Sequence, residues 1–144
     1  MPIPFGSYLQ PLWDEVHDWL NSQGMPSPGP AIIRYLTTDM SKKLDIDVGF
    51  AVNRRLSGND RIMVDTLPAG KYATLLYTGS YRGKGIYKAN VALIGWAKEN
   101  GVGWNTSSKN GVEWWNGRVE WYLTDPAREK DAKKYQTELT FLVK

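Results

Sequence analysis

One run of landmarks occurs twice in this chain, in the same order, and few architectures satisfy it. Gly6-Ser7-Tyr8 precedes an amphipathic stretch ending Trp19-Leu20-Asn21-Ser22-Gln23-Gly24. Gly79-Ser80-Tyr81 precedes another, ending Trp96-Ala97-Lys98-Glu99-Asn100-Gly101. Tyr35-Leu36-Thr37-Thr38-Asp39 closes one strand-like run, and Tyr122-Leu123-Thr124-Asp125 closes its counterpart. Each is followed by a strand with an acid on its non-core face, Asp47 and Glu138. Four matches in one order imply a unit written twice, repeat one over about 1–60 and repeat two over about 61–144, within a single domain of 144 residues.

Periodicity fills in the units. Leu9, Leu12, Trp13, Val16 and Leu20 recur at helical spacing and predict a helix over 11–23, with Pro11 in its first turn and Gly24 as its stop. Strands are expected at 31–37, at 44–52 (Ile46, Val48 and Phe50 alternating with acids), at 61–66 and at 71–78. A second helix is expected over 84–100, with Ile86, Ala89, Leu93, Trp96 and Ala97 on one side. Residues 102–117 read as a loop rich in Gly, Asn and Trp, followed by strands at 118–124 and 136–143. The second unit has a full strand ahead of its Gly-Ser-Tyr, whereas the first has only Met1–Phe5, so the first is expected to be short by a strand or to begin late. The fold class is α+β: two helix-on-antiparallel-sheet units related by a pseudo-twofold, with a central ligand cleft at their seam.

Composition removes whole classes of chemistry. With no cysteine, thiolate metal sites, iron–sulfur sites and a cysteine nucleophile are excluded. A single histidine, His17, excludes a multi-histidine metal centre, so no metal or cofactor is expected. A net charge of +3, from 18 basic and 15 acidic side chains, is too mild to argue for nucleic acid. No apolar run of about 18 residues exists, and no signal peptide is visible, so a cytoplasmic protein is expected. Gly79–Gly85 lacks the spacing of a phosphate loop.

The unusual quantity is aromatic. Seven Trp, eight Tyr and three Phe make 12% of the chain, more than one core needs. Large aromatic faces also line ligand pockets and attract cations. Trp104, Trp114 and Trp115 sit in the expected loop and read as a lid over a flat ligand, Trp104 and Trp115 above all. Trp13, Trp19, Trp96 and Trp121 read as core.

These segments resemble a known family. Leu44-Asp45-Ile46-Asp47-Val48-Gly49, Leu67-Pro68-Ala69-Gly70-Lys71-Tyr72-Ala73 and Glu120-Trp121-Tyr122-Leu123-Thr124-Asp125-Pro126 carry the resemblance, which runs from about Gly6 to Val143. The chain is similar to the GyrI-like small-molecule-binding domains, which also form the effector-binding part of many AraC- and MerR-type regulators. The resemblance implies a duplicated α+β fold with an aromatic pocket for bulky, flat, often cationic drugs, dyes and toxins. It implies that Glu120 stands in the pocket floor. Some stand-alone members open the strained cyclopropane of DNA-alkylating natural products, and others protect gyrase. No DNA-binding segment is present in this sequence, so direct nucleic acid binding is not expected.

Strand alternation places Arg118, Glu120, Tyr122 and Thr124 on one face and Val119, Trp121 and Leu123 on the other. If the second face meets the helices, Glu120 and Tyr122 face the cleft. Glu120 is then a counter-ion for a cation, or a general base for water with Tyr122 assisting, or an ordinary salt-bridged strand glutamate. Tyr35 and Tyr122 occupy matching places and read either as two pocket walls or as ordinary cross-strand packing residues, and Tyr8 and Tyr81 either as caps of the cleft or as structural turn aromatics. Two functions stay open: capture of an aromatic, cationic or amphipathic small molecule by Tyr8, Tyr35, Tyr81, Trp104, Trp115, Glu120 and Tyr122, or cofactor-free hydrolysis of a cyclopropane genotoxin. A gyrase or regulator partner is implied by resemblance alone.

Overall fold

A computed structural model describes residues 6–39, 41–42 and 44–144. The expectation about Met1–Phe5 lies outside the described residues. The elements run α1 (Gly6–Ser22), β1 (Ala31–Thr37), β2 (Asp45–Phe50), β3 (Tyr72–Thr78), α2 (Gly85–Glu99), β4 (Thr106–Lys109), β5 (Val112–Trp115), β6 (Arg118–Tyr122) and β7 (Gln136–Leu142). Among the described residues this is an α+β fold of two helices, a five-stranded antiparallel sheet in the order β2-β1-β6-β7-β3, and a separate two-stranded sheet, β4-β5. Among the described residues, no helix is long and apolar enough to cross a membrane.

The two stops read from glycine are present. The amide of Met25 reaches back to Leu20 at 2.9 Å beside Gly24, and that of Val102 to Ala97 at 2.8 Å beside Gly101, each closing a helix. α1 starts earlier than expected, so Pro11 lies inside it and removes one intrahelical donor near its start.

Register decides which residues meet the helices. Ile33 stands opposite Glu120 on β6 and Val48 on β2, and Glu120 stands opposite Leu139 on β7. Ala31, Ile33, Tyr35, Tyr122, Leu139 and Phe141 are buried against Trp13 of α1 and Ile86, Ala89 and Leu93 of α2. The face holding Arg118, Glu120 and Tyr122 is therefore the helix-covered face, the reverse of the expected orientation. Trp121 does not reach this core; its indole N–H bonds to Thr140 Oγ1 at 2.8 Å on the opposite face. β6 is buried on both sides, with Val119 at 0% and Glu120 at 3% exposure, so polarity along the strand could not tell the faces apart.

Three further expectations change. Residues 61–66 form no strand, because they have no ladder partner. They are pinned by side chains instead: Asn59 Oδ1 accepts from the amides of Arg61 and Ile62, and Asp65 accepts from Arg34 at 2.9 Å. The segment 102–117 is a hairpin rather than a plain loop. Asn110 and Gly111 take φ of 52° and 74°, the left-handed pair that a tight two-residue turn demands. Trp96 is 49% exposed, one position off the buried stripe of Leu93 and Ala97.

Trp13 fastens α1 to the sheet. It is 1% exposed, its indole N–H donates to Gly49 O at 3.1 Å, and its ring meets that of Tyr122 edge-on at 6.2 Å. Trp13→Ala is expected to lower unfolding free energy by about 3–5 kcal/mol, read from urea denaturation.

Candidate functional site

A carboxylate lies under the helices, ringed by donors. Glu120 Oε1 accepts from Tyr122 at 2.6 Å and Tyr35 at 3.0 Å, and Oε2 accepts from Asn90 Nδ2 at 2.9 Å. β6 supplies Glu120 and Tyr122 two residues apart on one face, β1 brings Tyr35 alongside, and α2 lowers Asn90 from above. Asn90 is itself 8% exposed, and its Nδ2 also donates to Ile86 O at 2.9 Å, which fixes the amide's orientation. Its Oδ1 accepts from Arg118 at 3.1 Å, so one amide bridges a buried anion and a buried cation.

The guanidinium of Arg118 is enclosed by rings. Its Cζ lies 4.4 Å from the Phe141 centroid, 4.5 Å from Trp115 and 5.4 Å from Tyr35. Trp104, Trp115 and Phe141 contact one another at centroid distances of 5.3–6.1 Å. Trp115 arrives on β5 and is tied to the end of β1 by its indole N–H to Thr38 Oγ1 at 3.2 Å.

Burial sets the electrostatics. It pushes the Tyr122 phenol well above its ordinary value, reinforced by the Glu120 charge. Tyr35 moves the same way for the same reasons, with Arg118 opposing. Both phenols therefore remain donors to the carboxylate at neutral pH. Burial lowers Arg118, and Glu120 acts against that.

Of the residues singled out from sequence, Tyr35, Glu120 and Tyr122 share hydrogen bonds, and Trp104 and Trp115 stand beside them around Phe141. Tyr81 packs on Tyr122 at 5.3 Å, but its hydroxyl is committed to the Thr124 backbone, donating to O at 2.7 Å and accepting from N at 2.9 Å. That is a structural latch rather than a cleft cap. Tyr8 is 88% exposed, away from the cluster. Trp114 is on the face of β5 opposite Trp115 and lines the cavity between the hairpin and residues 68–69, with Lys109 Nζ 5.9 Å from its ring centre. Asn90, Arg118 and Phe141 were not singled out. Alternation places Arg118 on the Glu120 face, and that is its available signal. Asn90 could have been found as a polar residue beside the apolar stripe of α2.

Two surface cavities lie elsewhere, and neither is lined by Glu120. One of about 380 Å³ sits at the outer edge of β2, between α1 and residues 52–67, where burial raises the Asp47 carboxyl. The other, of about 480 Å³, runs between the β4–β5 hairpin and residues 68–69 and reaches Trp115. Among the described residues, no cluster of acids or histidine could hold a metal ion.

The phenols give this site a pH signature. In the unfolded chain they ionise near 10.0, whereas in the fold they keep their protons beyond that. Below about pH 10 both states are protonated and stability is unaffected; above it the unfolded state loses protons first, so stability falls by about 1.4 kcal/mol per pH unit per tyrosine. Tyr35→Phe is expected to flatten this alkaline slope by about one tyrosine's share, measured as urea midpoints across about pH 9 to 11.

No curated protein resembles the chain closely enough to count as a relative. A family profile, the GyrI-like small molecule binding domain, matches residues 2–144, essentially the whole chain. The protein therefore belongs to the GyrI-like small-molecule-binding family.

Proposed function

We propose that this protein captures a bulky, flat aromatic molecule against Trp104, Trp115 and Phe141, with Glu120 and its donors as the polar floor. The observation that carries this reading is the Glu120 carboxylate, 3% exposed yet supplied with three side-chain donors within a shell of rings. Desolvating a carboxylate is costly, and well-packed apolar side chains of similar volume would serve a purely structural strand as well or better. Trp and Tyr faces add large stacking area at low cost in side-chain entropy.

The β4–β5 hairpin is a two-stranded sheet separate from the main one. Such a pair is marginal on its own: backbone bonds fix its base to the end of β7 (Asn105 N–H to Leu142 O at 3.0 Å, Leu142 N–H to Gly117 O at 2.6 Å), while its arm leans on side-chain bonds such as Trp115 to Thr38. It serves as a lid: the hairpin lifts, Trp115 leaves its place on Arg118, and a flat ligand takes that place. The duplicated reading supports the same position. Tyr35 and Tyr122 fall on equivalent landmarks of repeats at about 1–60 and about 61–144, and their hydroxyls meet at one oxygen. A pseudo-twofold would place its central cleft there.

Capture is favoured over hydrolysis by the same hydrogen bonds. Both Glu120 oxygens accept from fixed side chains, which commits the carboxylate to holding those groups rather than to deprotonating water. Tryptophan fluorescence on titration with flat aromatic compounds tests the reading. Glu120→Gln is expected to weaken binding about tenfold or more. Because that change leaves Arg118 uncompensated, circular dichroism checks its fold, and Tyr35→Phe, which spares the carboxylate, should weaken binding by a smaller factor. Absence of any quenching, or unchanged affinity in both variants, would overturn the proposal. A water adduct of a spirocyclopropane alkylator, seen by mass spectrometry and lost in Glu120→Gln, would make the protein a hydrolase instead.

A further inference from the structure

An aromatic cage normally offers a ligand cation its best seat, and here that seat is taken. Arg118 holds its guanidinium 4.4 Å from Phe141, 4.5 Å from Trp115 and 5.4 Å from Tyr35. Resting on the reading above, we infer that Arg118 sets the ligand class: the site takes a neutral flat aromatic molecule bearing a carbonyl or similar acceptor, and disfavours cations.

Three observations converge on this. First, the ring faces that would attract a ligand's positive charge already contact a resident one, so an incoming cation meets like-charge repulsion where it needs attraction. Second, the charges in the site are already matched. Glu120 and Arg118 are 3% and 8% exposed and are joined through Asn90, whose two amide ends touch one each. A cationic ligand would add an uncompensated charge to a desolvated space, whereas a neutral one adds none. Third, the Nε–H of Arg118 is buried and donates to no partner. A buried donor without an acceptor is costly to retain, and it is satisfied by an oxygen supplied from outside the protein. The guanidinium plane then stacks on the ligand's rings while its edge binds the acceptor, a combination that a lysine ammonium cannot reproduce.

The test uses two ligands of the same tricyclic shape, neutral acridone with its carbonyl and cationic N-methylacridinium. Each is titrated into the whole protein and followed by tryptophan quenching. The wild-type chain is expected to bind acridone about tenfold more tightly than the cation, the worth of one charge-assisted hydrogen bond. Arg118→Met should reverse the order. Arg118→Lys keeps the charge that compensates Glu120 and so guards against a folding failure of the first variant. It should lose acridone affinity without gaining affinity for the cation. Wild-type preference for N-methylacridinium, or variants that shift both ligands equally, would overturn the inference and leave aromatic capture standing. Failure of both ligands to bind would overturn both.

Discussion

The site depends on one arrangement: two opposite charges taken out of water and joined by an amide. Glu120 and Arg118 lie two residues apart on one face of β6, and Asn90 of α2 bonds to both. Buried charge is costly unless it is matched and hydrogen-bonded, so each neighbour has a defined task, the unpartnered Nε–H of Arg118 excepted. Tyr35 and Tyr122 complete the carboxylate, while Phe141, Trp115 and Tyr35 enclose the guanidinium. In this way β1, β6, β7, α2 and the β4–β5 hairpin are held in register by a polar group rather than by apolar packing alone. Taking away either charge strands the other.

That arrangement also explains the economy of the aromatic side chains. Tyr122 donates through its hydroxyl and receives Trp13 and Tyr81 edge-on against its ring, so the polar centre grades directly into the core. On the far side, Trp104 and Trp115 continue from Phe141 toward the hairpin, whose base is anchored by backbone bonds to the end of β7. A polar floor beneath a hairpin hinged at its base suits the proposed capture of a flat molecule. Membership of the GyrI-like family accords with such a use.

Much of this was legible from sequence, for reasons that differ by element. The helices declared themselves through Leu93 and Ala97, or Trp13 and Leu20, because apolar spacing on one face follows from 3.6 residues per turn. Alternation correctly grouped Arg118, Glu120 and Tyr122. It could not say which way they pointed, because Val119 on the opposite face is equally buried and the strand has no wet side. Ile62 and Val64 imitated a strand, but a strand exists only where a partner ladder does, and pairing is not written in local pattern. The Asn110-Gly111 turn was a readable hairpin signal, masked by polar flanks without alternation. Arg118 escaped notice because an arginine is assumed to be solvated unless a partner is visible, and its partner Asn90 comes from a helix 28 positions away.

A double-mutant cycle between Arg118 and Glu120 measures the central claim most directly, using Arg118→Met, Glu120→Gln and the pair together in urea denaturation. If the two charges act as one desolvated unit, the double variant is less destabilised than the sum of the single variants, with a coupling of about 1.5 kcal/mol or more. Additivity within about 0.5 kcal/mol would mean that each charge is accommodated independently, and would contradict the account.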